Sequence, residues 1–451
     1  MKFNPIHLFQ RLLLLCGVLP IVATAAVPEA LRQLVARRID AEYPALFGIY
    51  TNLHAHPELS FMEVKTAARV AGELRTLGFT VTEKVGNTGV VGVLTNGVGP
   101  TLLVRADMDG LPIRENSGVK YASTDVVKDL SGKDQPAMHG CAHDTHITGL
   151  IGTARLLVSL KDRWAGTLVL IAQPAEEIVG GARAMLADGL YTRFPKPDFA
   201  IALHTTSMLP AGVIGYGEGP FLASVNSMDI QVRGVGGHGS APHTTRDPVL
   251  LASQIVVALQ AIVSREIKPG APAVVTVGTI HGGLKRNIIP DEVRLELTLR
   301  AFDEKVMAQL IASIRRICDG TARAAGVPDD RLPVISFTPE SVPVTSNDPT
   351  LARRLTASFL EWFGKDGARV QEPIMGAEDF SQYRREGVPI CMWWVGATDP
   401  ARIAESERSG IPVPSNHSAT FAPVPEPTLK ACVRSMTAAV LELMGRTADQ
   451  R

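Results

Sequence analysis

Residues Met138 to His146 read MHGCAHDTH and bring three histidines, one cysteine and one aspartate into nine positions. Three chemistries suit that density: a metal nest, a nucleophilic cysteine beside its base, or a polar helix start. A hydrolytic metal site needs thiolate, imidazole or carboxylate ligands for one or two divalent ions, plus a free carboxylate to take a proton from water. Cys141, His143, Glu177, His204 and His417 are the ligand candidates, and the adjacent Glu176 and Glu177 offer a division of labour. Successive side chains at a strand exit point apart, so one glutamate can bind metal while its neighbour faces the substrate. Asp109 stands where it could accept the spare ring N–H of a metal-binding histidine and fix its tautomer. Each residue alone also has a plain structural reading: a packed cysteine, a histidine ending a strand, a solvated glutamate pair, a helix-capping aspartate.

The elements that must position these groups are legible as three apolar runs, TLLVRADMDG, GTLVLIAQPAEE and DFAIALHTT, each ending in titratable residues. Between the first two, Ile147, Leu150, Ile151, Ala154, Leu157 and Val158 recur at helical spacing. Apolar strands alternating with amphipathic helices predict an α/β fold with a mainly parallel sheet, whose ligand crevice lies outside the carboxyl ends of the strands. Over 224–336 the texture changes. SMDIQVRGVGG and EVRLELTLRAF alternate apolar with polar residues, as half-exposed antiparallel strands do. The order strand, helix (Pro248 to Arg265), two strands, helix (Glu304 to Ala325), strand suits a ferredoxin-like α+β unit inserted into the catalytic domain. The catalytic domain then comprises 40–223 and 337–447.

A chain of 451 residues with 45% hydrophobic content predicts two domains with real cores. Lys+Arg and Asp+Glu balance at 45 each, so neither nucleic acid nor an anionic membrane surface is implied as a partner; a small molecule is. Lys2 and Arg11, the run LLLLCGVLPIVATAA and the small residues Ala23 and Ala25 form a secretory signal pattern over 1–25. That run is shorter than the roughly 20 apolar residues that span a bilayer, so export to the periplasm or medium is expected, without stable membrane insertion. Cys141, Cys318, Cys391 and Cys432 are too scattered for a disulfide framework.

RADMDGLPI, MHGCAHDTH, QPAEE, GGHGSAPHTTRDPV, RNIIPDEVRLELTLR and GAEDFSQY, in this order, resemble the M20 family of metallopeptidases and amidohydrolases. The nearest branch includes hippurate hydrolases, N-acyl-amino-acid amidohydrolases and indole-acetyl-amino-acid hydrolases, and the similarity runs from about Tyr43 to Leu443. The resemblance implies two divalent ions (zinc, manganese, cobalt or nickel) held by Cys141, His143, Glu177, His204 and His417, with Glu176 as general base and acid. His146 is the alternative ligand. It further implies that the inserted domain mediates homodimerisation, that His238 stabilises the oxyanion, and that Asn287 and Arg300 contact the amino-acid part of the substrate. The chain reads HGCAHDTH where the branch has HACGHDGH, and NHSATF where it has HSPxF; neither change removes a ligand. The expectation is an exported, metal-dependent amidohydrolase acting on N-acyl amino acids. Its rivals are a carboxypeptidase or dipeptidase, a non-catalytic binding protein on the same fold, and a cysteine hydrolase using Cys141.

Overall fold

The computed structural model describes residues 27–446. The signal pattern over 1–25 and residue 447 lie outside the described residues. The apolar runs form strands covered on both faces: every residue of Thr101–Asp107 after the first is buried, as is all of Ile390–Thr398. They belong to an eight-stranded sheet in the order Thr80–Val85, Gly89–Asn96, Gly166–Gln173, Thr101–Asp107, Phe199–Pro210, Ile390–Thr398, Ile214–Tyr216, Ala368–Val370. The four strands from Gly166–Gln173 to Ile390–Thr398 run parallel, and antiparallel pairing begins at Gly89–Asn96. Such a sheet delivers the ends of its central strands to one rim.

The helix His143–Ser159 packs against the carboxy-terminal helix Pro425–Met444 with backbone-close contact. A Cβ added at Gly149 would meet Cys432 at 2.8 Å and one at Gly152 would meet Val433 at 2.6 Å. Two glycines therefore fix the depth at which this helix lies, and with it the position of His143 at its first turn.

The inserted unit is a four-stranded antiparallel sheet in the order Ala273–Gly282, Glu292–Ala301, Ser224–Arg233, Val334–Val342. The helices Pro248–Ala261 and Glu304–Ala324 pack on it around Ile230, Ile255, Leu259, Leu297, Leu310 and Ile314. Two boundaries differ from the sequence reading. The last strand runs to Val342 because Ser341 and Val342 still pair with Asn226 and Val225, so the insert extends past residue 336. The first helix stops at Ala261 and continues as a π-type turn over Ile262–Glu266.

Candidate metal centre

All five ligand candidates converge on the rim. Cys141 Sγ lies 3.5 Å from His204 Nε2 and 3.1 Å from His417 Nε2. Glu177 bridges the group, with Oε2 3.4 Å from His417 Nε2 and Oε1 3.9 Å from His143 Nε2. Glu176 Oε2 stands 3.8 Å from the same His143 nitrogen. His143 Nε2 and Glu177 Oε1 are buried and have no hydrogen-bond partner among the described residues. Buried polar atoms are otherwise almost always satisfied, so thiol, imidazole and carboxylate donors aimed at one another suit a divalent cation.

Backbone strain is concentrated at this site. Of seven described non-glycine residues with positive φ, three lie beside the candidates, Ala142 (φ 65°), Ala175 (φ 49°) and Val179 (φ 48°), and a fourth is the candidate His417 itself (φ 69°). A β-branched residue such as Val179 is rarely found there, and strain of this kind persists only where the surroundings over-determine it. Here Val179 N–H donates to the Glu176 carbonyl at 2.7 Å, closing the turn that carries both glutamates. The left-handed Ala142 reverses the chain between Cys141 and His143, and the His417 N–H donates to the Gly140 carbonyl at 2.8 Å, which ties the late loop to the early one.

Asp109 meets the ring of His143 through its main chain. His143 Nδ1 hydrogen-bonds the Asp109 main-chain carbonyl at 2.8 Å, while the carboxylate stands farther off at 3.4 Å. The carboxylate instead accepts the main-chain N–H groups of Glu176 and Glu177, each at 3.0 Å, and the Ser60 hydroxyl at 2.6 Å. One residue thus orients the histidine and fixes the turn of both glutamates. His146, the alternative ligand, has both ring nitrogens engaged: Nδ1 lies 2.5 Å from Asp107, and Nε2 accepts the Thr205 N–H at 2.8 Å. The second contact pins the strand carrying His204, while His146 also forms with Asp107 and His143 a buried group whose donor atoms lie within 4.8 Å of one another.

An ionic layer centred on Arg105 lies beneath the cluster. Arg105 is fully buried and contacts Asp107 at 2.5 Å, Glu378 at 2.7 Å and Asp379 at 3.3 Å. Gln173 joins Arg105 to Asp379, and Tyr383 donates to Gln173. A buried arginine inside an apolar strand was the available signal, since such a charge needs carboxylate partners.

Burial pushes the Cys141 thiol well above its ordinary range, and Glu177 and Glu176 push it further. Burial also raises Glu177 to about 8 and raises Glu176, which faces Glu378 and Glu177 as well. Such a thiol is a poor free nucleophile, whereas a coordinated thiol is held deprotonated by the ion's own charge.

The cluster opens into a cavity of about 630 Å³ between the catalytic domain and the insert. Arg300 lines it, half-buried, with Nη1 donating to the Met375 carbonyl at 2.6 Å. His238 and Asn287 do not join it. They are exposed and line a separate concavity with Leu284 and Ile288, because the short Gly237–His238 and Ile288–Ile289 strands project from the insert. The structure does not bring them to the ligand cluster.

Residues 103–415 match the family described as Peptidase family M20/M25/M40. The chain is 37% identical over 390 residues to thermostable carboxypeptidase 2 of Saccharolobus solfataricus, spanning 85% of this chain and 92% of that protein. It is 38% identical over 331 residues to hippurate hydrolase of Campylobacter jejuni, spanning 73% of this chain and 82% of that one. Among solved structures it is similar to a dinuclear metal-binding peptidase of the M20 family from Bacillus subtilis, with a TM-score of 0.73 and 28% identity over 90% of this chain and 99% of that chain.

Proposed function

The chain belongs to peptidase family M20/M25/M40 and is a metal-dependent hydrolase of amide bonds, and from that premise we propose that its substrates are N-acyl amino acids and that Glu176 is its general base. The observation that carries this reading is the pair of unpartnered, buried ligand atoms, His143 Nε2 and Glu177 Oε1, 3.9 Å apart beside a cavity that also holds Glu176 and Arg300. Cys141, His143, Glu177, His204 and His417 would hold two divalent ions. Zinc, manganese, cobalt or nickel all tolerate this donor set, and when bound they acidify water and polarise an amide carbonyl.

In this account Glu176 removes a proton from the attacking water and returns it to the leaving nitrogen. Burial, with Glu378 and Glu177 nearby, raises its affinity for a proton. Arg300 keeps donors free of Met375 and presents them to the α-carboxylate of the amino acid. Asn287 and His238, which line a separate concavity in their own subunit, would reach this cavity from the partner subunit, Asn287 toward the same part of the substrate and His238 toward the oxyanion. Support for a homodimer comes from the apolar surface of the insert: Leu250, Val257, Ile280, Leu284 and Ile288 are all exposed, and Ala273–Gly282 is an edge strand. The helix that carries Leu250 and Val257, together with the π-type turn that continues it to Glu266, is long and apolar enough to cross a membrane, yet its inner face packs into the insert's own core. The signal pattern over 1–25 supports export to the periplasm or medium.

The relative named a carboxypeptidase favours unblocked peptides as the second substrate class. A hydrolysis screen of hippurate, N-acetyl amino acids and dipeptides, before and after chelation and after metal return, tests the proposal. Metal-restored hydrolysis of N-acyl amino acids supports it. Hydrolysis of peptides alone overturns it in favour of the second class.

A further inference from the structure

The face of the insert sheet opposite its helices forms one wall of the cavity. Register makes this explicit: Arg300 pairs with Val225, Thr298 with Ser227, and Val225 also pairs with Val342. Val225, Ser227, Thr298, Arg300 and Glu340 all line the cavity. Among the described residues that line it, Arg300 is the sole lysine or arginine, and Glu340 is the sole carboxylate besides Glu176 and Glu177. The wall therefore carries one cation and one anion. They stand two strand spacings apart, about 10 Å across the sheet.

Glu340 owes its place to an irregularity. The pairing of Val334–Val342 with Ser224–Arg233 slips between Asn226 and Met228, so that Thr338, Pro339 and Glu340 bulge opposite Ser227. Bulges re-aim side chains, often beside active sites. This one is clamped from the catalytic domain: Arg183 Nη2 donates to the Pro339 carbonyl at 2.8 Å and to the Val179 carbonyl at 3.2 Å. Val179 closes the turn that bears Glu176 and Glu177, so one guanidinium ties the bulge to the reacting end of the cavity. Arg183 directs this nitrogen to main-chain carbonyls rather than to the Glu340 carboxylate.

We propose that Glu340 reads a cationic group on the substrate, so that the preferred substrates are N-acyl derivatives of basic amino acids such as lysine, ornithine and arginine. The α-carboxylate sits on Arg300 and the side-chain cation reaches across the strand between them to Glu340. This rests on the N-acyl amino acid reading and deepens it by naming the amino acid. Norleucine is the control, because it has lysine's hydrocarbon chain without the charge.

The test uses the metal-loaded wild type and the variants Glu340→Gln and Glu340→Lys, assayed on Nα-acetyl-lysine, N-acetyl-norleucine and N-acetyl-glutamate. The wild type should favour acetyl-lysine over acetyl-norleucine in kcat/KM by about two- to fivefold at low salt, the range of an exposed ion pair, and by less at high salt. Glu340→Gln should bring that ratio toward unity, and Glu340→Lys should shift preference toward acetyl-glutamate. A merely structural role for Glu340 would not invert charge preference. An unchanged lysine-to-norleucine ratio in both variants overturns the inference while leaving the amidohydrolase reading intact. Failure of the loaded wild type to cleave any N-acyl amino acid would overturn both.

Discussion

The main-chain carbonyl of Asp109 lies 2.8 Å from Nδ1 of His143 and so decides which ring nitrogen faces the cluster. The carboxylate of the same residue accepts the N–H groups of Glu176 and Glu177. Backbone and side chain of one aspartate thus position separate parts of the centre.

Asp109→Ala separates these roles. The carbonyl remains and His143 keeps its tautomer, but two buried N–H groups lose their acceptor and the glutamate turn loosens. Metal affinity should fall about 10- to 100-fold, the usual cost of removing such a supporting group. Titration of the apoprotein with zinc or manganese measures it. Wild-type affinity and turnover in the variant would contradict the assignment.

His54 links pH to stability. It is buried between Asp144 at 2.6 Å and Glu115 at 3.0 Å. Burial alone would depress its pKa, but hydrogen bonds and charge from these carboxylates overcome burial and raise it to about 10. A raised folded pKa gives stability that is complete below the unfolded value of about 6.5 and is lost as pH climbs toward about 10. His54→Gln strands two buried carboxylates and should cost about 3 kcal/mol near pH 6. Urea unfolding should show that deficit shrinking toward about pH 10. An equal deficit at both pH values would refute the charged histidine.

Much of the centre was legible because the residues at the ends of apolar strands are local in sequence. TLLVRAD, GTLVLIAQ and FAIALH declare themselves as buried strands, and a parallel sheet then gathers their ends. What stayed hidden depends on distant partners or on backbone geometry. Arg105 meets Glu378 across 273 positions, which no spacing rule reveals. His146 looks like a ligand in sequence, lying three residues after His143, and its engagement with Asp107 and Thr205 shows only in the fold. The strand that ends the insert crosses a bulge at Pro339, which reads as a stop when its partner strand is unknown.

A shared active site has a countable consequence. If the partner subunit's His238 completes each site, inactive Glu176→Gln and inactive His238→Ala subunits should regain activity when refolded together, since a mixed dimer holds one intact site. No gain despite confirmed mixed dimers would rule this out.

Export predicts a shortened amino terminus. Sequencing the mature protein from its native host should find a start near residue 26, after the small residues Ala23 and Ala25. An intact Met1 in the cytoplasmic fraction would sink the idea.

The central claim, that adjacent glutamates divide proton transfer from metal binding, is tested most directly by measuring metal content and turnover in Glu176→Gln and Glu177→Gln side by side. Glu176 has its N–H on Asp109 and its carboxylate 3.8 Å from His143, while Glu177 reaches both His143 and His417. Glu176→Gln should keep its metal and lose at least about 100-fold in kcat, the usual weight of general-base work. Glu177→Gln should lose metal first. Equal metal loss in the two variants, or Glu176→Gln turning over like the wild type, would contradict the account.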